Sequence, residues 1–143
     1  MERSEELRDF VLLYCQAIAS GDMGFVERHL SRQDGLLVIG VDAHDWWVSY
    51  ATAMQGYGAQ MSEGDRGIPL VLGDPQAYRE GSVGWAADRV VIRLPDATEI
   101  PCRLTMVWHL ENGCWKIVQH HLSIGVGNDD AEATCRPERC KSS

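Results

Sequence analysis

Two long runs, residues 100–110 and 114–124, flank the dipeptide Asn112-Gly113. Asn-Gly between runs of this kind is a strong hairpin signal, because both central residues of the tight turn take positive φ. A hairpin with strands of this length is not stable alone in water and needs further strands and a covering layer. Two more strand-like runs precede it, at 68–78 and 83–94, separated by the turn Glu80-Gly81. Pro95-Asp96-Ala97 turns the chain into the hairpin. Asp74-Pro75 interrupts the first run, and proline cannot donate to a ladder, so a bulge or an edge is expected there. Four long antiparallel strands therefore make up the C-terminal half. The segment Glu63-Gly64-Asp65-Arg66-Gly67 before them reads as a loop.

The N-terminal half has a different period. Ser4 suits an N-cap, and Glu5 and Glu6 suit the positive end of a helix. Leu7, Phe10, Val11, Tyr14 and Ile18 then recur at helical spacing until Ser20-Gly21. Asp22 is placed to cap a short second helix carrying Phe25, Val26 and Leu30, and residues 36–40 read as a buried strand. Asp42 is placed to cap a third helix, with Asp45 three residues on as in a capping box. Trp47, Tyr50, Met54, Tyr57 and Met61 form its apolar face. Gly56 and Gly58 weaken that helix or let another group pack closely on it. Helices first and a strand meander after them imply an α+β domain, with helices on one face of a curved sheet and a cavity between.

The 143 residues suffice for one domain, and an apolar share of 45% gives it a core. We place the domain at 1–127 and read the polar segment 128–143 as a disordered tail. A net charge of −8 excludes nucleic acid and anionic membrane surfaces as partners, since both need a basic face. The first residues lack an apolar signal core and no apolar run is long enough to span a bilayer, so a cytoplasmic location is expected. The odd, scattered set Cys15, Cys102, Cys114, Cys135 and Cys140 reads as free thiols. No metal site is expected, because the adjacent His120 and His121 point to opposite faces of a strand. No cofactor is expected either: Gly56-Tyr57-Gly58 lacks the third glycine of a dinucleotide fingerprint, and no phosphate loop or nucleophile elbow occurs.

Several segments together resemble a known family. They are Ile39-Gly40-Val41-Asp42 through Asp45-Trp46-Trp47; Gly81-Ser82-Val83-Gly84-Trp85-Ala86-Ala87-Asp88; and Arg103-Leu104-Thr105-Met106-Val107-Trp108-His109 running into Gly113-Cys114-Trp115-Lys116-Ile117-Val118-Gln119-His120-His121-Leu122-Ser123. Over residues 4–127 the chain resembles the SnoaL-like branch of the nuclear transport factor two-like superfamily. The resemblance implies a cystatin-like α+β barrel: a cone-shaped, curved antiparallel sheet wrapped around a long helix, with two further N-terminal helices. Relatives include ketosteroid isomerases, polyketide cyclases, dehydratases and non-catalytic dimerisation modules. Ser49 and Ala97 stand where the family often has glycine.

Strand alternation gives the candidate site. Lys116 should face water, which turns Trp115, Ile117, Gln119, His121 and Ser123 inward. A three-residue loop at the hairpin would set Arg103 opposite His121 and Thr105 opposite Gln119. A two-residue turn would set Leu104 there instead, and a slip of one residue exchanges the faces. The resemblance favours the first register. It gathers Arg103, Thr105, Gln119, His121 and Ser123 at the polar end of a pocket, with Tyr14, Trp47, Tyr50 and Met54 as its apolar wall. His121 is then an acid or base, Arg103 holds an anion or enolate oxygen, and Asp88 is a further catalytic candidate. Asp42 and Asp45 are weaker candidates, being accounted for as helix-start residues. The expected ligand is a small apolar organic molecule bearing a carbonyl or acid group. The alternative is a non-catalytic module. The expected homodimer would pair through the sheet face carrying Trp108, Val118, His120 and Leu122.

Overall fold

Ser4 opens the first helix as expected. In the computed structural model, which describes residues 1–62 and 68–135, its hydroxyl accepts a hydrogen bond from the Leu7 N–H at 3.1 Å. Helix α1 spans Glu5–Ser20 and closes on Gly21, whose φ of 73° lets its N–H reach back to the last-turn carbonyls. Asp22 caps α2, Met23–His29, by accepting from the Phe25 N–H at 3.1 Å. The third helix, α3, begins later than the sequence suggests and spans Tyr50–Ser62. Ser49, not Asp42, supplies its capping oxygen, accepting from the Thr52 N–H at 3.1 Å. Asp42 instead closes a tight turn by accepting from the His44 N–H at 2.8 Å, which lowers its pKa.

The strands are β1 (Glu2–Arg3), β2 (Leu37–Ile39), β3 (Trp46–Trp47), β4 (Leu70–Val71), β5 (Gln76–Glu80), β6 (Val83–Arg93), β7 (Glu99–Glu111) and β8 (Cys114–Ile124). They form one sheet in the order β1-β5-β6-β7-β8-β2-β3, with β4 beside β5 on β6. The sheet is mixed rather than wholly antiparallel, because β2 runs parallel to β8. It is curved and unclosed, and the expected α+β cone is present. The break between β4 and β5 falls at the interruption read from Asp74-Pro75.

The hairpin turn has two residues, not the three favoured above, with φ of 51° at Asn112 and 79° at Gly113. Glu111 therefore faces Cys114, and Trp108 faces Ile117. One step further the ladder shifts, and Val107 faces Gln119. Val118 is the extra residue of a β-bulge. Neither register considered from the sequence contains this shift. The result pairs Thr105 with His121 and Arg103 with Ser123.

Helix α1 lies on the concave face and buries Leu7, Val11, Tyr14 and Ile18 against Val90, Leu104, Met106, Trp108 and Ile117. Residues 128–135, read as the start of a disordered tail, contain a further helix, α4, at Asn128–Cys135. The disorder expected over 136–143 and the loop expected over 63–67 lie outside the described residues. Ala97 takes a φ of 70°, a left-handed conformation that costs a non-glycine residue roughly 1–2 kcal/mol. Among the described residues Cys15, Cys102 and Cys114 are free. Among them, too, no helix is long and apolar enough to cross a membrane.

Candidate functional site

The bulge at Val118 decides which side chains of β8 see the helices. Before it, Trp115 and Ile117 face inward; after it, His120 and Leu122 do. The inward face expected from strict alternation is thus correct for Trp115 and Ile117 and reversed for Gln119, His121 and Ser123. Those three share the outer face with Arg103 and Thr105. The polar cluster therefore exists, but on the side of the sheet away from α1. Trp108, His120 and Leu122, expected on an outer dimer face, are buried inside.

A cavity of about 150 Å³ lies between α1, α3 and the concave face. Tyr14 and Ile18 of α1, Trp47 of β3, Tyr57 and Gln60 of α3 and His120 and Leu122 of β8 line it, with Asp45 from the β2–β3 connection. Of the aromatic wall expected from the sequence, Tyr14 and Trp47 are in place. Tyr50 and Met54 are not lining residues. Tyr50 instead lies beneath the Arg32 guanidinium, 4.5 Å from its ring centre, and donates to the Glu27 carbonyl at 3.3 Å.

Five polar side chains line this largely apolar cavity. The Tyr14 and Tyr57 hydroxyls are hydrogen-bonded to each other at 2.8 Å. One proton joins the pair and the second is not used by it. Burial raises both hydroxyl pKa values, and Tyr57 adds to the rise at Tyr14. Both stay neutral donors at physiological pH. The His120 ring packs 5.1 Å from the Tyr14 ring, and neither of its nitrogens has a hydrogen-bond partner in the protein. Burial, and secondarily the neighbouring His121, push its pKa down to about 3. It is a neutral imidazole at neutral pH. Asp45 accepts from the Gln60 amide at 3.2 Å. Because α3 begins at Tyr50, Asp45 is not committed to a helix terminus.

Asp88 does not line this cavity. Its two carboxylate oxygens accept from the Gly73 and Asp74 N–H groups at 3.1 and 2.9 Å, tying the β4–β5 break to β6. Its nearness also reinforces the burial that lifts the Cys15 thiol to about 12. Among the described residues no group of three or more His, Cys, Asp or Glu is placed to hold a metal ion. Sequence reasoning missed His120, Gln60 and the role of Tyr57, and ranked Asp45 below Asp88. Of the three missed, only Tyr57 carried a usable signal, its place on the same helical stripe as Trp47.

Gly56 places Trp47. A Cβ on Gly56 would lie 2.2 Å from the Trp47 ring, whereas one on Gly58 meets nothing within 4 Å. Gly56→Ala is expected to displace the ring and cost roughly 1–3 kcal/mol. Gly58→Ala should gain up to about 1 kcal/mol from helix propensity. Urea unfolding of the two variants checks the opposite signs.

The SnoaL-like domain model matches residues 7–127. The chain belongs to that family, within the NTF2-like fold. No curated protein sequence matches it. Among solved structures it is similar to an NTF2-like protein of unknown function from Pseudomonas putida, with a TM-score of 0.76, 13% identity, and coverage of 87% of this chain and 88% of the other. An NTF2-like superfamily protein from Salmonella enterica has a TM-score of 0.71 at 17% identity, covering 87% and 92%. A candidate dehydratase of the NTF2-like family from Streptomyces avermitilis has a TM-score of 0.69 at 14% identity, covering 86% and 96%. These likenesses establish the fold.

Proposed function

We propose that the chain carries out acid–base chemistry on a small, largely apolar organic molecule bound between α1, α3 and the sheet. The observation that carries this reading is the Tyr14–Tyr57 hydroxyl pair, held at 2.8 Å on an apolar cavity. A neutral hydroxyl with a free proton in a low-dielectric site stabilises an oxygen on which charge develops. Asp45 is the carboxylate among the described lining residues, and Gln60 orients it. In this reading Asp45 accepts a proton from the carbon beside a ligand carbonyl. The electron pair moves to the carbonyl oxygen, which the tyrosine pair holds. Proton abstraction of this kind opens isomerase and dehydratase reactions alike, and the Streptomyces protein's description as a candidate dehydratase is in keeping with it.

The test is deuterium exchange at the carbons flanking the carbonyl of small cyclic ketones in heavy water, followed by NMR. The wild type should accelerate exchange. Asp45→Asn should abolish the acceleration, and Tyr57→Phe should lower it by about 10²–10³-fold, as loss of an oxyanion donor does elsewhere. His121→Ala and Arg103→Ala should leave it unchanged, since both lie on the other face. Equal exchange in wild type and Asp45→Asn would refute the catalytic reading.

A second reading concerns the outer face. It carries Trp85, Val107, Leu37 and Ile39 along neighbouring strands, and Trp46, 59% exposed, extends the row at the sheet edge. Helix α1 packs on the opposite face. We propose that a second copy of the chain supplies the missing layer, pairing face to face. Light scattering should give a dimer at micromolar concentration, and Val107→Asp should give a folded monomer. A monomeric wild type would end this proposal. Such pairing is compatible with the catalytic reading, because the two faces are separate.

A further inference from the structure

The outer face of the sheet carries two arginines that nothing in the fold pairs. Arg89 on β6 and Arg103 on β7 are direct cross-strand partners, and both are exposed. Like charges set directly opposite each other on a sheet destabilise it. Among the described residues neither guanidinium forms an ion pair, whereas Arg8 and Arg93 both do. The chain has 21 acidic residues against 13 basic ones, so counter-ions are not scarce. The pair holds two positive charges side by side where the fold gains nothing from them.

Two hydroxyls flank the pair. Ser123 on β8 lies across from Arg103, on the side away from Arg89. Thr105 follows Arg103 two residues on and so shares its face. Neither hydroxyl has a hydrogen-bond partner among the described residues. Both arginines line an open recess of about 620 Å³, together with Gly73, Gln76 and Ala87. That volume lies in the range that small-molecule ligands occupy. Asp74 and Asp88 also line the recess, but their oxygens are engaged elsewhere. Asp74 is ion-paired with Arg8 at 3.1 Å, and both Asp88 oxygens accept backbone N–H groups. The two guanidinium groups are the charges on this recess that still have unused hydrogen-bonding capacity.

A phosphate group answers this arrangement better than a carboxylate does. A guanidinium presents its donors in a planar fork that engages two oxygens at once. One fork satisfies a carboxylate. A phosphate monoester carries about −1.5 to −2 charges at neutral pH and three strong acceptor oxygens, enough for two forks and a hydroxyl. The net charge of −8 repels anions at a distance, but salt at about 0.15 M screens that field beyond roughly 8 Å, so local contacts decide. The apolar row that would pair two copies is centred on Val107, four residues and about 13 Å along β7 from Arg103. We propose that Arg89 and Arg103, with Thr105 and Ser123, form a binding site on the outer face for a phosphate group, free or carried by a small organic molecule. The anion-holding role read for Arg103 from the sequence thus reappears on the other side of the sheet, independent of the chemistry at Asp45.

Isothermal titration of the wild type with phenyl phosphate, inorganic phosphate and benzoate, at neutral pH and physiological salt, tests this. Both phosphates should bind at least about tenfold more tightly than benzoate. Tighter binding of phenyl phosphate assigns the site to an organic phosphate that uses the recess; tighter binding of inorganic phosphate assigns it to the free ion. Arg89→Gln and Arg103→Gln should each lower phosphate affinity at least about tenfold. Arg103→Lys, which keeps the charge and loses the fork, should retain only part of it. The double glutamine variant should abolish binding and keep the wild-type size in light scattering. The glutamine variants should unfold at the wild-type temperature or above it, because a like-charge pair is relieved. Arg93→Gln, at an arginine of the same face already paired with Glu99, should leave the affinity unchanged. No saturable phosphate binding, benzoate binding as tightly as the phosphates, or an Arg93→Gln effect as large as those at Arg89 and Arg103 would overturn the proposal. A change of size in the double variant would do so too, by assigning the arginines to contacts between copies.

Discussion

Acidification from about pH 6.5 to about 3 is expected to cost the folded state about 4 kcal/mol through His120 alone. Burial holds this imidazole's folded pKa near 3, against an ordinary value of 6.5. The unfolded chain therefore binds the proton first as the pH falls. Between the two values the unfolded state carries more protons, so stability rises with pH and is lost on acidification. The loss begins near the unfolded value and is complete below the folded one, with a slope approaching 1.4 kcal/mol per pH unit between them. Two groups shape the effect: the Tyr14 ring packs on the imidazole, and His121 adds a repulsive charge. His120→Leu removes the titration. It also removes two buried nitrogens without partners, which should raise stability at neutral pH by about 1–3 kcal/mol. Urea unfolding across this pH range measures both quantities. Parallel pH profiles for wild type and His120→Leu would show that the imidazole is not held neutral.

Asp88→Ala should cost about 3–6 kcal/mol and leave ligand recognition intact. The carboxylate is 8% exposed and holds the Gly73 and Asp74 N–H groups at 3.1 and 2.9 Å. Hydrogen bonds to a charged acceptor contribute roughly 1.5–3 kcal/mol each, and the substitution breaks two. Asp88→Asn keeps one acceptor oxygen and should lose about half as much. Thermal unfolding gives the stability change, and ketone exchange at low temperature reports on the pocket. A variant of unchanged stability that no longer accelerated ketone exchange would return Asp88 to the chemistry and contradict its structural role.

These two residues show where sequence reasoning succeeds and where it stops. Asp88 stood out correctly as an acid within a strand that needed an explanation, but the explanation lies in a backbone break fourteen and fifteen residues away. His120 was set aside because it neighbours Lys116 and Val118 in a strict two-residue alternation. The reversal at Val118 put it inside. Asp45 was discounted as a helix-start residue, and a later helix start released it to the cavity.

The amino-acid sequence by itself determined the helix caps at Ser4 and Asp22, the stop at Gly21, the hairpin turn at Asn112-Gly113 and the α+β order of elements. Each rests on interactions within a few residues, or on apolar periodicity long enough to outweigh local exceptions. Tertiary structure alone decided the parallel pairing of β2 with β8, the bulge at Val118, and the meeting of Tyr14 with Tyr57 across 43 residues. A bulge is one residue's offset between two ladders, and no local propensity encodes it. Which ring nitrogens and hydroxyls share a cavity depends on how helices seat on a curved sheet, so the candidate site became visible only once the chain was folded.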